Sequence, residues 1–433
     1  MYMRSFFHRS GMSTLSVGIT AGTLGVLFDL SFAALIFSNS LSDYLSAGIG
    51  LVLFSAAAAR MMVALMSSFP GMVSDLAAIP TAILSWSTGM VVREMPPAAS
   101  QEELLVTVIV TIASTSLLTG AFLWLLGELK LGNIVRFLPN SVVGGFVASS
   151  GLLLIKGAAG ILALDTISLR SFAQPVVFMN WLPGLLLALY LLVVTRHKRH
   201  SWVIASSLVG AIALFYGALF LFGISPNGAN AQGLTLGIPS LQTTWQLLSW
   251  SDLLKINWRA LGSQWMCAGT ISALTAVLLL MNMKGMQVVI SEDIDINHEL
   301  KVAGRSNVLL GMGGGILAFH SMGGSILMHT LGGRSRWVTV IGAATFVLLP
   351  LLFSPWLTYF PTSILGGLLL YLGLSCLYEW TYRARKKLSA FDYCIVQLIW
   401  IVSGVVGFLQ ALALGWAIAV GLVLHQLLRK QPS

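Results

Sequence analysis

The sequence predicts an all-α polytopic membrane protein of about fourteen transmembrane segments, built as a 7+7 inverted repeat with two half-length helices meeting at the midplane. Three observations predict it. Of 433 residues, 57% are hydrophobic and only 9% are charged, a balance foreign to soluble domains of this length. Two stretches roughly 220 residues apart read almost alike: Phe137-Leu-Pro139-Asn-Ser141-Val-Val-Gly144-Gly145 and Tyr359-Phe-Pro361-Thr-Ser363-Ile-Leu-Gly366-Gly367. Their flanking charges are reversed, Lys130 and Arg136 preceding the first copy and Arg383, Arg385, Lys386 and Lys387 following the second. By the positive-inside rule the two copies face opposite ways. An inverted repeat of this kind points to a carrier that binds its substrate between the halves.

Residues 1–13 are expected to be a cytoplasmic N-terminus carrying Arg4, His8 and Arg9. The apolar run behind it, Leu15 to Phe37, exceeds the roughly 7–15 residues of a signal-peptide core and reads as the first span. At about 20 residues per crossing, spans fall near 14–37, 44–66, 102–127, 139–160, 178–195, 202–223, 264–284, 300–318, 336–353, 362–378, 391–405 and 407–427. Two shorter segments, 79–92 and 321–332, supply the half-length helices. The first repeat is expected over 14–223 and the second over 259–427, with an extracytoplasmic loop at 224–258 and a cytoplasmic tail at 428–433. Charge tests this count independently. Lys130/Arg136, Arg196/Lys198/Arg199, Arg334/Arg336, Arg383 through Lys387 and the tail pair Arg429/Lys430 all fall on the inside. The outside stretches are poor in Lys and Arg: Glu94 to Glu103 carries Pro96-Pro97 and acids, and Ser225 to Leu248 holds no basic residue.

The formal net charge of +9 comes from short clusters between apolar runs, which fits topology and excludes a nucleic-acid face. Cys267, Cys376 and Cys394 sit in apolar surroundings without CxxC pairing and read as packing residues. No GxSxG elbow, Walker loop, HExxH or carboxylate pair supports an enzyme, and no cofactor is implied. Trp86, Trp181, Trp250, Trp337 and Trp356 lie mostly near span ends, as an interfacial belt requires.

The chemistry concentrates at the two short segments. One follows Ser67-Ser68-Phe69-Pro70-Gly71 and Asp75 and is expected to have Pro80 at its first helical position, where the missing N–H costs nothing. The other follows Gly311 to Gly315 and His320 and carries Ser321, Gly323, Gly324 and Ser325. Polar, glycine-rich backbone at bilayer depth is tolerated only where protein buries it or a cavity receives it. The alternative for the glycines alone is close helix packing. Two helix starts facing each other would form an anion site without a charged side chain, since each leaves N–H groups unpaired and presents about half a positive charge.

The run Asp293-Ile-Asp295-Ile-Asn297-His-Glu299-Leu300, with Gly304, Asn307 and a break ending in Gly332-Gly333-Arg334, resembles the SulP (SLC26) anion transporters. Ser67 to Leu84 and the two Pro-x-Ser-x-x-Gly-Gly segments match in order, so the resemblance covers nearly the whole chain. It implies two intertwined repeats of seven segments, divided into core and gate, and an elevator-like movement of the core. It also implies an anion between the starts of the third and tenth segments, flanked by the first and eighth. Carried onto this chain, the substrate-binding set is Ile79, Pro80 and Thr81 on one side, Ser321, Gly323, Gly324 and Ser325 on the other, and Phe28, Phe32, Asn282 and Gln287 at the wall. Sulfate, bicarbonate, chloride or a small dicarboxylate are the expected substrates, and a homodimer in the inner or plasma membrane is the expected assembly.

Three departures stand out. Where many relatives have a Ser-Arg pair, this chain has Gly323-Gly324. From Thr275 to Ile290 it has no acid, although many relatives use one there for cation coupling. Most relatives continue into a STAS domain, and this sequence ends at Ser433. Asp29 and His320 are the candidate sites for a coupling proton or sodium ion, with Asp29 paired to Arg60 as the structural alternative. Lys284 reads as a snorkelling residue and His329 as helix packing. Glu292, Asp293, Asp295 and Glu299 lack the glycine turn of an EF-hand and read as a capping connector reaching Arg305. Two other functions stay open: a nucleobase-type permease of the same fold, and a non-transporting scaffold or sensor subunit.

Overall fold

The computed structural model describes residues 2–37, 39–132, 139–162, 175–197, 202–237, 252–290, 293–330 and 333–429. Arg136 with the Phe137-Leu138 start of the first repeat copy, Lys198, Arg199, residues 238–251, Glu292, Gly332 and Lys430 lie outside them. The elements are α1 (Tyr2–Ile36), α2 (Leu45–Met66), β1 (Ser74–Leu76), α3 (Ala78–Glu94), α4 (Gln101–Glu128), α5 (Asn140–Ile161), α6 (Pro175–His197) and α7 (Trp202–Leu221). Two short helices, α8 (Pro226–Ala231) and α9 (Trp258–Gly262), precede α10 (Trp265–Ile290), α11 (Ile296–Met312), β2 (Ala318–His320), α12 (Met322–Thr330), α13 (Arg336–Leu357), α14 (Thr362–Leu377), α15 (Ala390–Val405) and α16 (Phe408–Arg429). Among the described residues, nine helical stretches are long and apolar enough to cross a membrane.

Local chemistry sets the helix ends. Ser100 Oγ accepts from Glu103 N at 3.2 Å while Glu103 Oε2 accepts from Ser100 N at 2.9 Å, a capping box that starts α4. Pro139 and Pro361 enter α5 and α14 with matching backbone angles, φ −63° and −66°, ψ 126° and 125°. The repeated sequence therefore makes the same entry twice. Just beyond, small residues let α5 and α14 touch: a Cβ on Gly373 would lie 2.6 Å from Gly151 O. Short-chain contacts of the same kind join α4 to α11, where a Cβ on Gly304 would lie 2.5 Å from Trp124 N.

Two expected boundaries move. The span expected at 300–318 is a helix only over Ile296–Met312, because Gly314 takes φ +74° and turns the chain into extended backbone before β2. Of the two expected half-length helices, α12 has nine residues and α3 seventeen, about 14 Å and 26 Å at 1.5 Å per residue. The apolar run continuing through Val91 and Val92 carries α3 close to a full crossing.

Packing divides the helices. α1 and α2 pack on α13, and α10 and α11 pack on α4; separately, α5 packs on α14 and α15, and α14 on α6. Within the span of α7 only 17% of residues are buried, and Leu214 and Phe220 face outward, as lipid contact demands. The segment after α7 is pinned to the entry of α14, with Leu236 N donating to Phe360 O at 3.0 Å and Tyr216 Oη to Tyr359 O at 2.6 Å.

Candidate functional site

The site is assembled by a two-stranded crossing. β1 and β2 pair antiparallel, Ser74 opposite His320, Asp75 opposite Phe319 and Leu76 opposite Ala318. Two short extended segments inside an apolar protein have few other ways to satisfy their backbone groups. Side chains complete the crossing. Asn307 grips Ala318 from both sides, Nδ2 donating to its carbonyl at 2.7 Å and Oδ1 accepting its N–H at 2.8 Å. Ser55 Oγ accepts from Ile316 N at 2.9 Å, and Ser321 N donates to Val73 O at 2.8 Å. Because the strands run antiparallel, α3 leaves the crossing at its Leu76/Ala318 end and α12 at its Ser74/His320 end.

The expected residues divide accordingly. Ser321 Oγ accepts from Gly324 N at 3.0 Å and so caps α12. Gly323 is exposed, with nothing within 4 Å of a Cβ placed on it. Gly324 is the opposite case: a Cβ there would lie 2.7 Å from Asp75 Oδ2. Across from them Ile79 is half-buried, whereas Pro80 and Thr81 are buried, and Thr81 Oγ1 has no hydrogen-bond partner among the described residues. The α3 N-cap, Ala77, offers no side-chain cap, so the amides of Ala78 and Ile79 remain free of the helix's own bonding.

Ser325 is committed to structure, its hydroxyl accepting from Val73 N at 3.0 Å and facing Met72 Sδ at 3.6 Å. Asn282 is likewise engaged, donating Nδ2 to His320 O at 2.9 Å. Gln287 donates instead to Ile294 O at 2.9 Å, in the connector between α10 and α11. Five positions along a helix turn it about 140° from Asn282, so the two do not share a face. Phe32 is buried, and Phe28 is half-buried against the cluster that holds Leu24, Leu191 and Ile364.

The charged residues form two groups. The structural alternative paired Arg60 with Asp29, but Arg60 Nη2 bonds Asp75 Oδ1, and its guanidinium lies 4.4 Å from the Phe346 ring centre. The reason is topological: β1 folds back along α2 and places a carboxylate within reach of a residue fifteen positions earlier. Gly25 makes the room, since a Cβ there would lie 2.5 Å from Arg60 Nη2. Asp29 is one helical turn further along that face, 3% exposed and within electrostatic reach of both Asp75 and Arg60.

The second group is His320 and Glu299, Nε2 and Oε2 2.7 Å apart with both side chains fully buried. Glu299 Oε1 also accepts from Ser68 N at 2.8 Å and Ser68 Oγ at 2.6 Å. Glu299 thus binds β2 and the turn before β1 to α11 rather than reaching Arg305, while Asp295 does cap α11 by accepting from His298 N at 3.0 Å. Sequence reasoning passed over Asp75 as a site residue. Its signal was available, an acid between two buried neighbours in a short polar break.

A family model described as the sulfate permease family matches residues 12–399. The vacuolar basic amino acid transporter of Saccharomyces cerevisiae is 24% identical over 74% of this chain and 32% of its own length. A probable sulfate transporter of Mycobacterium tuberculosis is 24% identical over 61% of this chain and 47% of its own. The chain therefore spans about a third to about a half of the length of these curated relatives. The transmembrane domain of a cyanobacterial bicarbonate transporter, BicA, is similar in fold, with a TM-score of 0.62, 20% identity, and coverage of 93% of this chain and 96% of that one.

Proposed function

This chain belongs to the sulfate permease family, and we propose that it is a secondary active transporter of a small anion, of the sulfate, bicarbonate, chloride or dicarboxylate class. The observation that supports the reading is the antiparallel β1–β2 crossing, from whose opposite ends the start of α3, without a side-chain cap, and the start of α12 lead off into their helices. The amides of Ala78, Ile79, Met322 and Gly323 then offer donors and partial positive charge to one small ligand. Phe28 and Ile79 close the wall.

The packing supports a 7+7 inverted repeat. Exchanging α1–α7 for α10–α16 turns the pair α1 on α13 into α10 on α4, α2 on α13 into α11 on α4, and α5 on α15 into α14 on α6. The pair α5 on α14 maps onto itself. The same exchange separates a core, α1–α4 with α10–α13, from a gate, α5–α7 with α14–α16. Alternating access is then an elevator-type movement of the core carrying the site past the gate. Both termini are cytoplasmic in this reading, and a coupling proton or sodium ion is taken up at Asp29 or His320.

Uptake into proteoliposomes tests it, using labelled sulfate, bicarbonate, chloride and fumarate with the membrane potential clamped and the pH gradient varied. Saturable uptake of one of them, lost on Gly323→Trp, is the expected result. No flux of any of the four in protein shown to be folded and inserted refutes it.

A further inference from the structure

We propose that the groove between α6, α7 and α14 binds a membrane phospholipid, which lays an acyl chain along the groove and accepts a hydrogen bond from Ser363 at an ester carbonyl. None of the residues lining the groove belongs to α3, α12 or the strands between them, so the site stands apart from the transport reading.

Glycine shapes the groove. At Gly184, α6 meets the first turn of α14 so closely that a Cβ would lie 2.7 Å from Ser363 O. On the facing side of α7, a Cβ on Gly210 would meet nothing within 4 Å. α6 is thus drawn onto α14 while α7 stands off along its Gly210 face. The space left is a cavity of about 630 Å³, inside the range of roughly 300–1,000 Å³ that small-molecule sites occupy. It follows α6 from Phe178 to Tyr190, about 18 Å at 1.5 Å per residue. One leaflet's hydrocarbon is about 15 Å deep, half of about 30 Å, so the groove is long enough for a whole acyl chain.

Its surroundings decide the occupant. α6 and α7 are both long and apolar enough to cross a membrane, and Leu186 and Leu214, which line the groove from either helix, are 56% and 77% exposed. The groove therefore opens sideways into hydrocarbon. No charged residue lines it. Water there would need two to four polar partners, yet the hydroxyls of Ser206 and Ser207 are both spent on Val203 O. An acyl chain needs no such partner and supplies the dispersion contacts that an empty groove forfeits.

One polar group is left over. Ser363 lines the groove, is fully buried, and its Oγ has no hydrogen-bond partner among the described residues. A buried donor left unmade is unfavourable, so an occupant with an acceptor at this level is preferred over a bare hydrocarbon. The level is the polar edge of these helices. Thr362 Oγ1 donates to Asn180 Oδ1 at 3.0 Å, and Tyr359 Oη donates to exposed Asn227 at 2.9 Å. In a phospholipid the ester carbonyls lie at that edge, between chains and headgroup.

Native mass spectrometry of the purified full chain in detergent tests this by titration with ester-linked phosphatidylglycerol and phosphatidylethanolamine and with an ether-linked analogue of the same chain length. One saturable lipid per chain is expected, with the ester form about threefold to tenfold tighter than the ether form, the worth of one hydrogen bond. With no charge on the lining, the two headgroups should bind alike. Ser363→Ala removes a hydroxyl that holds nothing in the fold; it should erase the ester preference and leave the ether lipid's affinity unchanged. Gly210→Phe places a ring in the open groove and should weaken both lipids at least tenfold in protein shown to be folded. Lipid that binds without saturating, an ester preference that survives Ser363→Ala, or unchanged binding to Gly210→Phe overturns the proposal. A lipid-free dimer that Gly210→Phe dissociates also overturns it, assigning the groove to a second copy of the chain.

Discussion

Gly323 and Gly324 are neighbours in one helical turn, and replacing each with alanine should have opposite effects. At Gly324 the new Cβ would lie 2.7 Å from Asp75 Oδ2, 3.1 Å from Ser321 Oγ and 3.2 Å from Val73 Cγ1. Ordinary contact begins at 3.4 Å, so the carboxylate must retreat by about 0.7 Å. It is poorly placed to do so, because Oδ1 is bonded to Arg60, and Arg60 is itself confined by the Phe346 ring and by Gly25. Overpacking at such a point costs about 1–3 kcal/mol, and losing the buried pair altogether costs about 3–5 kcal/mol. Alanine's better helix propensity returns at most about 1 kcal/mol. At Gly323 no atom lies within 4 Å and only the propensity gain operates. The propensity gain is common to both, so the two variants should differ in unfolding free energy by about 1–3 kcal/mol, read by thermal or denaturant unfolding in detergent without ligand. Asp75→Ser removes the nearest obstructing oxygen, and in that background Gly324→Ala should cost less, a coupling that a double-mutant cycle isolates. Equal stability of Gly323→Ala and Gly324→Ala would refute the account of how α12 begins.

Three further outcomes follow from the same contacts. Arg60→Met leaves the half-buried Asp75 without its partner and should cost somewhat less than the about 3–5 kcal/mol of a fully buried pair in unfolding experiments, most of it recovered when Asp75→Leu is added. Gly304→Ala drives a Cβ to 2.5 Å from Trp124 N, a backbone atom that cannot rotate away; it should destabilise by about 1–3 kcal/mol, whereas Gly269→Ala, with open space around it, should be neutral or stabilising by up to about 1 kcal/mol. Glu299→Gln weakens the charge-assisted bonds to Ser68 and His320; a loss of about 1.5–3 kcal/mol should accompany faster amide exchange at 316–321, the segment those bonds hold.

The membrane helices were legible because apolar length and charge position act along the chain, without reference to partners. That is why the expected spans at 102–127 and 139–160 meet α4 and α5 almost end for end. The end of α11 was not, since glycine at 311 to 315 is as compatible with close helix packing as with a turn, and only the positive φ at Gly314 decides. The broken segments announced the site, yet side-chain pairing within it was hidden. Arg60 and Asp29 sit in adjacent apolar spans and so invite pairing on paper; the strand that carries Asp75 back to Arg60 has three residues, too few for periodicity to reveal. Gln287 was legible in principle, because its rotation from Asn282 follows from helix geometry alone.

The absence of a Ser-Arg pair at positions 323 and 324 acquires a physical meaning from this arrangement. An arginine at 324 would carry its Cβ into the space that the Asp75 carboxylate occupies, so glycine at 324 and the present position of Asp75 depend on each other. Positive charge is still present near α12, supplied from α2 by Arg60, but Asp75 consumes it before any ligand arrives. Glycine at 324, Asp75 and Arg60 therefore form one coupled contact, in which the positive charge that an arginine would bring from α12 comes instead from α2 and is held by β1.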